Sequence, residues 1–407
     1  MKQGWEIKKL GEVCKVIAGQ SPASEFYNSE GIGLPFYQGK KEFKDKYIGK
    51  PKTWSSETTK EAFEGDVLMS VRAPVGPVNF STQHICIGRG LAAIRASKSI
   101  DKEFLFNFLL KYENEIVGNA GAVFNSISKT QIENISIPFP PLPEQKRIVA
   151  ILDQCFEAID QAKANVERNL QNAKELFQNQ LNQIFSQKGE GWVEKKLGDE
   201  KLLKIIDGDR GKNYPKKTDF FNKEYCVFLN TGNVRQNGFN FDVVVFITKE
   251  RDDLLRKGKL KRNDVVMTTR GTIGNLGLYN STVPYKHIRI NSGMLILRSK
   301  KTEILAEYLF QVCRSSILKE QIKAETTGAA QPQLPIKTLV NLSIPIPVSL
   351  DIQKACVKQI NDISVLNRAL EAHYKQELNS LDELRKSILQ KAFSGELTEN
   401  PLERIRA

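Results

Sequence analysis

The sequence predicts an α+β protein. It has two tandem globular domains, strand-rich with helices, separated by two long helices that pair as an antiparallel coiled coil, giving pseudo-two-fold symmetry. Three observations predict this. A series of short motifs occurs twice in the same order, which is the signature of an internal repeat. Short apolar or alternating runs punctuated by Gly, Pro and Asn dominate each copy, as strands and turns do. A long stretch of uninterrupted helical periodicity follows each copy.

The repeat begins at Gly4-Trp5-Glu6-Ile7-Lys8-Lys9-Leu10-Gly11, which recurs as Gly191-Trp192-Val193-Glu194-Lys195-Lys196-Leu197-Gly198. Glu64-Gly65-Asp66-Val67-Leu68-Met69-Ser70-Val71-Arg72 recurs as Arg262-Asn263-Asp264-Val265-Val266-Met267-Thr268-Thr269-Arg270. His84-Ile85 matches His287-Ile288, Leu91–Arg95 matches Met294–Arg298, and Ile135–Pro140 matches Leu342–Pro347. The offset between copies grows from 187 at the tryptophans to 207 at the prolines, so the second copy carries extra loop residues, expected around 207–224 and 236–262. A common scaffold with different loops produces this pattern.

Strands are expected at Val13–Ala18, Val67–Val71, His84–Ile87, Leu91–Arg95 and Ile135–Phe139, and helices at Phe104–Tyr112 and Ile304–Ile317. Pro138, Pro140, Pro141 and Pro143 then form a stiff stop, and a helix opens at Pro143-Glu144, proline being favoured in a first turn. Ile148, Leu152, Cys155, Ile159, Ala162, Val166, Leu170, Ala173, Phe177, Leu181 and Ile184 repeat in steps of three and four, a coiled-coil seam. Ile360, Ile363, Leu366, Leu370, Tyr374, Leu378, Leu381, Leu384 and Ile388 form a second stripe, ending at Gly395. Each helix should be about 60 Å long at 1.5 Å per residue. Both are polar on the outer face, so the stripes need a partner, and each other is the economical one; packing of each on its own domain is the competing reading. The expected division is 1–143, a central helix 144–189, a second domain 190–350, a C-terminal helix 351–396 and a tail 397–407.

The chain has 407 residues and a net charge of +13. The charge is uneven: +3 over 1–143, −1 over 144–190, +11 over 191–350 and zero over 351–407. A basic domain favours a polyanionic partner through phosphate neutralisation, whereas neutral helices suit protein contacts. Solubility alone is the competing account of the charge. No run of apolar residues is long enough for a membrane span and the N-terminus lacks a signal-peptide core, so a cytoplasmic protein is expected. The six cysteines are scattered without a Cys-x-x-Cys pair, which favours reduced thiols over zinc or disulfides.

Enzyme chemistry lacks its constellations. No Asn/Asp-Pro-Pro-Tyr/Phe tetrapeptide of a base methyltransferase occurs, nor a Walker loop. The glycine-rich run Gly271-Thr272-Ile273-Gly274-Asn275-Leu276-Gly277 lacks a lysine and reads as a tight turn. Three histidines support no catalytic or metal set, and the matched places of His84 and His287 favour a shared structural role. No catalytic residue, cofactor or metal is expected.

The layout resembles the specificity subunit of type I restriction-modification systems. The resemblance rests on Gly-Trp-x-x-x-Lys-Leu-Gly, on Gly65-Asp66-Val67-Leu68-Met69-Ser70-Val71-Arg72, on Ile137–Ile148 with its Pro-Leu-Pro-Glu-Gln helix start, and on Leu389–Thr398 with Ala-Phe-Ser-Gly-Glu-Leu. These motifs span essentially the whole chain. The second copy departs at 348–353, Val-Ser-Leu-Asp-Ile-Gln replacing Pro-Leu-Pro-Glu-Gln-Lys. The resemblance implies two target recognition domains, each reading one half of an asymmetric split site in double-stranded DNA. It implies helices that set the spacer and dock two methyltransferase subunits, and two motor-nuclease subunits that can join. A non-catalytic role follows. A self-contained DNA-modifying enzyme and a scaffold for another polyanion are the alternatives.

Arg and Lys suit guanine edges and phosphates, and Gln and Asn suit adenine. The candidate DNA contacts in the first copy are Gln38, Lys40 and Lys41 after a strand, and Arg72 and Arg89 at Gly/Pro-flanked turns. In the second they are Arg210, Lys212, Asn213, Lys216 and Lys217 in one basic loop, with Arg235, Arg270 and Arg289. Arg72 and Arg270 match between copies and should share a role such as a phosphate contact or a structural bond, leaving base choice to copy-specific loops.

Overall fold

The computed structural model describes residues 4–118, 126–186, 189–236, 238–326 and 333–398. The chain separates into two compact units, one of residues 1–167 with 375–407 and the other of residues 168–374. Each unit holds one globular domain and a portion of both long helices.

In the first unit a four-stranded antiparallel sheet runs in the order Cys14–Ala18, Leu91–Ala96, Val67–Ser70, Val78–Phe80. In the second the order is Leu203–Asp207, Met294–Ser299, Asp264–Thr268, Leu276–Tyr279, the same topology from the repeated motifs. Matching pairs close each domain base: Glu6–Lys9 against Ser136–Phe139, and Trp192–Lys196 against Ser343–Pro347. A smaller sheet in each unit contains a parallel pair, Leu34–Tyr37 with Ile85–Ile87 and Cys226–Leu229 with Ile288–Ile290. These short strands at 34–37 and 226–229 had no strong alternation in sequence. The second copy slightly lengthens the loop 208–224 and carries the hairpin Val234–Arg235/Gly238–Phe239 and the helix Lys249–Leu254 in the next insertion. It also lengthens the turn before Ile288, outside the two expected regions.

Scaffold equivalence extends to backbone detail. Gly65 and Asn263 both take positive φ, +84° and +73°, before the aspartate that opens the central strand. Asparagine is among the few side-chain-bearing residues that tolerate this region. A Cβ on Gly19 would lie 2.2 Å from Gly88 O, and one on Gly208 would lie 2.1 Å from Asn291 O, so both copies need glycine where the first strand passes the same turn. Asp66 accepts Nε and Nη2 of Arg95 at 2.8 and 2.7 Å, and Asp264 accepts the same atoms of Arg298 at the same distances. Gly271 and Gly274 also take positive φ, and the glycine-rich run is the turn between Asp264–Thr268 and Leu276–Tyr279.

The helices run from Leu142 to Ser186 and from Leu350 to Ser394. In the first unit Ile148, Leu152, Phe156 and Ile159 of the central helix share a core with Leu389, Ala392 and Phe393 of the C-terminal helix and Phe104, Leu105 and Phe108 of the domain. Phe393 meets Phe104 and Phe108 at centroid separations of 5.0 and 5.5 Å. Burying each such side chain contributes roughly 1.5–3 kcal/mol. Lys163 pairs with Asp382 and Arg385 with Asp160, so the helices run antiparallel there. In the second unit Leu181, Ile184 and Phe185 join Cys356, Ile360, Tyr308 and Val312.

The stripe expected on the C-terminal helix needs correction. Leu366 is 72% and Leu384 46% exposed, and Leu370 lies against Asn169, Asn172 and Asn179 of the central helix. The same recess is lined by Ala173 and Leu176 of the central helix, but Leu370 is still 37% exposed. Cys356 and Ile360 at one end, and Leu389, Ala392 and Phe393 at the other, carry the burial instead.

The departure at 348–353 is one inserted residue, absorbed at the helix start. Gln145, fully buried, accepts the N–H of Asp101 at 2.8 Å and donates to the carbonyls of Ser99 and Pro140. Gln353, equally buried, accepts the N–H of Leu305 at 2.9 Å and donates to the carbonyls of Glu303 and Pro347.

Candidate nucleic-acid interface

In each domain one turn of the small sheet meets the end of the central strand of the four-stranded sheet. In the first, Gly88 N donates to Tyr37 O at 2.8 Å and Val71 N to Gly90 O at 3.0 Å. In the second, Asn291 N donates to Leu229 O at 3.1 Å and Thr269 N to Gly293 O at 2.8 Å. The residues projecting from this frame are therefore comparable between copies.

Three expected residues of the first domain converge there. Gln38 is exposed, its Oε1 accepts Ser21 Oγ at 2.9 Å and its carbonyl accepts Gly90 N at 3.0 Å. Arg89 is exposed between Gly88 and Gly90, its N–H on Ser21 Oγ at 3.3 Å. Arg72 is exposed where its backbone bridges Ser126. Lys40 and Lys41 lie exposed on the next 3-10 turn, Lys40–Glu42. Burial raises the pKa of Glu113, and the charge of nearby Lys40 opposes that rise. Glu113 borders the Arg72 loop through Gly76.

In the second domain Arg210 and Arg270 line one recess of about 280 Å³ with Asp207 and Gln333. Arg210 Nη2 is 3.2 Å from Asp207 Oδ2 and 3.3 Å from Ser292 O. Arg270 is exposed and bridges Gln333 through its backbone, as Arg72 bridges Ser126. Lys212, Lys216 and Lys217 are exposed on the loop that follows Arg210. Asn213 is half-buried and donates to Leu254 O at 3.3 Å. Tyr214 Oη meets Ser292 N at 3.5 Å, tying this loop to the same turn. Lys216 N is held by Asp219 at 2.8 Å, and Arg251 secures Asp219 at 2.6 Å. Arg235 is exposed on the short hairpin.

Arg289 does not belong with them. It is 5% exposed, its Nε donates to Asp252, and its Nη atoms donate to the carbonyls of Lys257, Asp252 and Leu255 at 2.6–3.0 Å. Its place in the repeat is that of buried Cys86, between two core isoleucines. That equivalence was readable from Ile85–Ile87 and Ile288–Ile290. Burial opposes ionisation of Asp252, but hydrogen bonds from Lys259 and Arg289 outweigh it and hold the carboxyl below its ordinary range.

Ser21, Asn230 and Gln333 share the rim and were missed. Asn230 follows the parallel strand as Gln38 does, and caps a 3-10 turn by accepting Gly232 N at 2.8 Å. Repeat alignment would have paired it with Gln38 had the strand been recognised. The matched histidines stack alike: His84 on Phe63 at 4.4 Å and His287 on Tyr225 at 4.2 Å. Burial pushes the thiols of Cys14, Cys226 and Cys313 up to about 12, the reverse of an activated nucleophile. No described helix is long and apolar enough to cross a membrane.

Comparison with known proteins gives the same frame. The family model for the type I restriction modification DNA specificity domain matches residues 2–168 and again 189–380. A putative type I restriction enzyme MjaX specificity subunit of Methanocaldococcus jannaschii is 42% identical over 184 residues, 44% of this chain and 43% of that one. The EcoKI specificity subunit of Escherichia coli is 25% identical across 98% of this chain and 92% of its own. A chain from a study of complex assembly and conformational transition of the type I R-M system superposes with a TM-score of 0.74 at 20% identity, covering 98% of this chain and 99% of its own. The HsdS subunit of Thermoanaerobacter tengcongensis gives 0.56 at 21% identity over 98% of both chains. With two matched domains, duplicated sheets and duplicated rims, the chain belongs to the type I restriction-modification DNA specificity family.

Proposed function

We propose that each globular domain reads one half of an asymmetric, split DNA site through the rim described above, and that the chain itself performs no chemistry. One observation carries this reading. The two rims share a frame and an exposed arginine, Arg72 or Arg270, but differ in the side chains beside it. Gln38, Ser21 and Arg89 in the first stand where Asn230, Arg210 and Ser292 stand in the second. A common positioning contact with variable neighbours is how phosphate anchoring and base choice divide. Lys40, Lys41, Lys212, Lys216, Lys217 and Arg235 would add phosphate contacts, Asn213 would support the loop, and Arg289 is excluded.

In this reading the long helices set the spacer between half-sites and carry two methyltransferase subunits, with two motor-nuclease subunits able to join. Domains 1–143 and 190–350 are the readers, 144–189 and 351–396 the ruler. The complex would work in the cytoplasm. Footprinting of the chain with its methyltransferase partner should reveal one split site with a fixed unprotected spacer. Continuous or sequence-independent protection would overturn the reading.

A further inference from the structure

In the second unit a cavity of about 490 Å³ opens between the helix Ala306–Arg314, the strand Leu276–Tyr279 and the C-terminal helix. Small-molecule sites span roughly 300–1,000 Å³ and combine apolar walls with a few polar groups. Phe239, Phe241 and Phe310 supply the apolar wall. Phe239 and Phe241 stack with centroids 5.5 Å apart. Arg314 and Arg368 bring two guanidinium groups into the same lining.

Arg314 is half-buried, donates to Gln311 Oε1 at 3.2 Å and lies 5.1 Å from the ring centre of Phe310. Gln311 is buried and donates in turn to Asn361 Oδ1 at 3.4 Å. Among the described residues neither arginine has a carboxylate partner. Burial, and then the charge of Arg368, both disfavour the charge on Arg314. Lys319 is disfavoured by burial and by Arg314 in the same way. Two neighbouring guanidinium groups, neither salt-bridged to a carboxylate among the described residues, repel each other, and a bound anion relieves that repulsion. Glu307 is the single carboxylate of the described lining.

At the equivalent described positions the first unit has no cation. The glutamine locks equate Ser99 and Asp101 with Glu303 and Leu305, which sets Asn107 and Leu110 where Gln311 and Arg314 stand. The cavity shares no lining residue with the recess of Arg210 and Arg270.

We propose that this cavity binds a phosphate-bearing ligand of mononucleotide size, its phosphate between Arg314 and Arg368 and its ring against the phenylalanine wall. Guanidinium forks match phosphate oxygens in paired hydrogen bonds. Glu307 then accepts hydroxyl or amino protons of the ligand.

Equilibrium dialysis of AMP against the full chain tests this. Saturable binding at one site is expected, with Kd at or below about 1 mM. Adenosine should bind at least about tenfold more weakly, and inorganic phosphate should compete. Arg368→Gln, at an exposed position, should weaken AMP about tenfold or more without lowering Tm, and Arg314→Gln should do the same if it folds. Arg270→Ala should leave AMP binding intact while weakening DNA binding. Absence of saturable binding, equal binding of adenosine and AMP, or indifference to Arg368→Gln would each overturn the proposal. Loss of AMP binding in Arg270→Ala would place the nucleotide on the DNA rim and overturn it too.

Discussion

Arg289 and Asp252 form a buried ion pair in which the guanidinium also holds the Asp252 carbonyl at 2.6 Å. Removing Arg289 leaves buried Asp252 with Lys259 as its remaining cation and takes a donor from the carbonyls of Lys257, Asp252 and Leu255, at a cost of about 3–5 kcal/mol. Arg289→Ala should therefore shift the urea midpoint strongly. Its DNA affinity should fall only in proportion to the folded fraction. A variant that keeps its stability but loses DNA binding would return Arg289 to the interface.

Acid should loosen the second unit through its aspartates. Asp252 is held low as described. Asp209 is held low because backbone N–H groups of Gly211, Arg256 and Lys257 outweigh the effect of burial. Asp219 is held low by the N–H of Lys216 foremost, then by Arg251. Their folded pKa values lie below the unfolded value, about 3.9. The stability they contribute is fully present above that value and is lost as pH falls through the folded values. Limited pepsin digestion should thus open the segment 209–262 as pH drops from about 4 towards 2. Asp252→Asn should open it at higher pH; cleavage insensitive to this change would refute the assignment.

The glutamine locks should be worth more than surface hydrogen bonds. Gln145→Ala and Gln353→Ala each strand buried backbone groups and should cost about 1–3 kcal/mol. Hydrogen exchange should rise at Ser99–Asp101 in the first variant and at Glu303–Leu305 in the second. Protection unchanged at those amides would mean that the locks do not pin the helix starts.

Shared and copy-specific rim residues should behave differently on DNA. Arg72→Ala and Arg270→Ala should weaken binding uniformly across sequences and reduce the salt slope by about 1. Arg210→Ala should relax base preference in one half-site only, costing about 1–3 kcal/mol. Binding-site selection with each variant separates the two outcomes, and the opposite assignment would reverse the proposed roles.

If the helices act as the ruler, adding about one turn, roughly four residues, to the central helix should change the preferred spacer. Selection from a library of spacer lengths would show it. An unaltered preference would count against that role.

Much of this architecture was legible because the chain states it twice. The paired motifs marked three strands of the first four-stranded sheet, one strand of its base pair and both long helices, since each carried its own periodicity; Val78–Phe80 and Glu6–Lys9 are too short or too polar to stand out. The short strand at 226–229 goes unmarked because both its faces are buried and alternation is lost, whereas its counterpart at 34–37 is visible as the strand before Gln38. Arg289 was misjudged because its charge was weighed without its neighbours Ile288 and Ile290, which fix a core strand. Leu366 and Leu384 stay exposed because periodicity reports which residues align on a helix, not which of them a neighbour covers. The rim was half visible: arginines stand out by charge, whereas Ser21, Asn230 and Gln333 matter only through the turn they flank.

Phe393 is among the last described residues of the chain, yet its ring lies against Phe104 and Phe108 in the first domain's core. On the ribosome that domain emerges well before Phe393, at a pace of about 5–20 residues per second. Its core then waits uncapped for the remaining chain. A stop just before Phe393 would thus injure the globular domain synthesised before the other, although every residue of that domain's own sheet would be present.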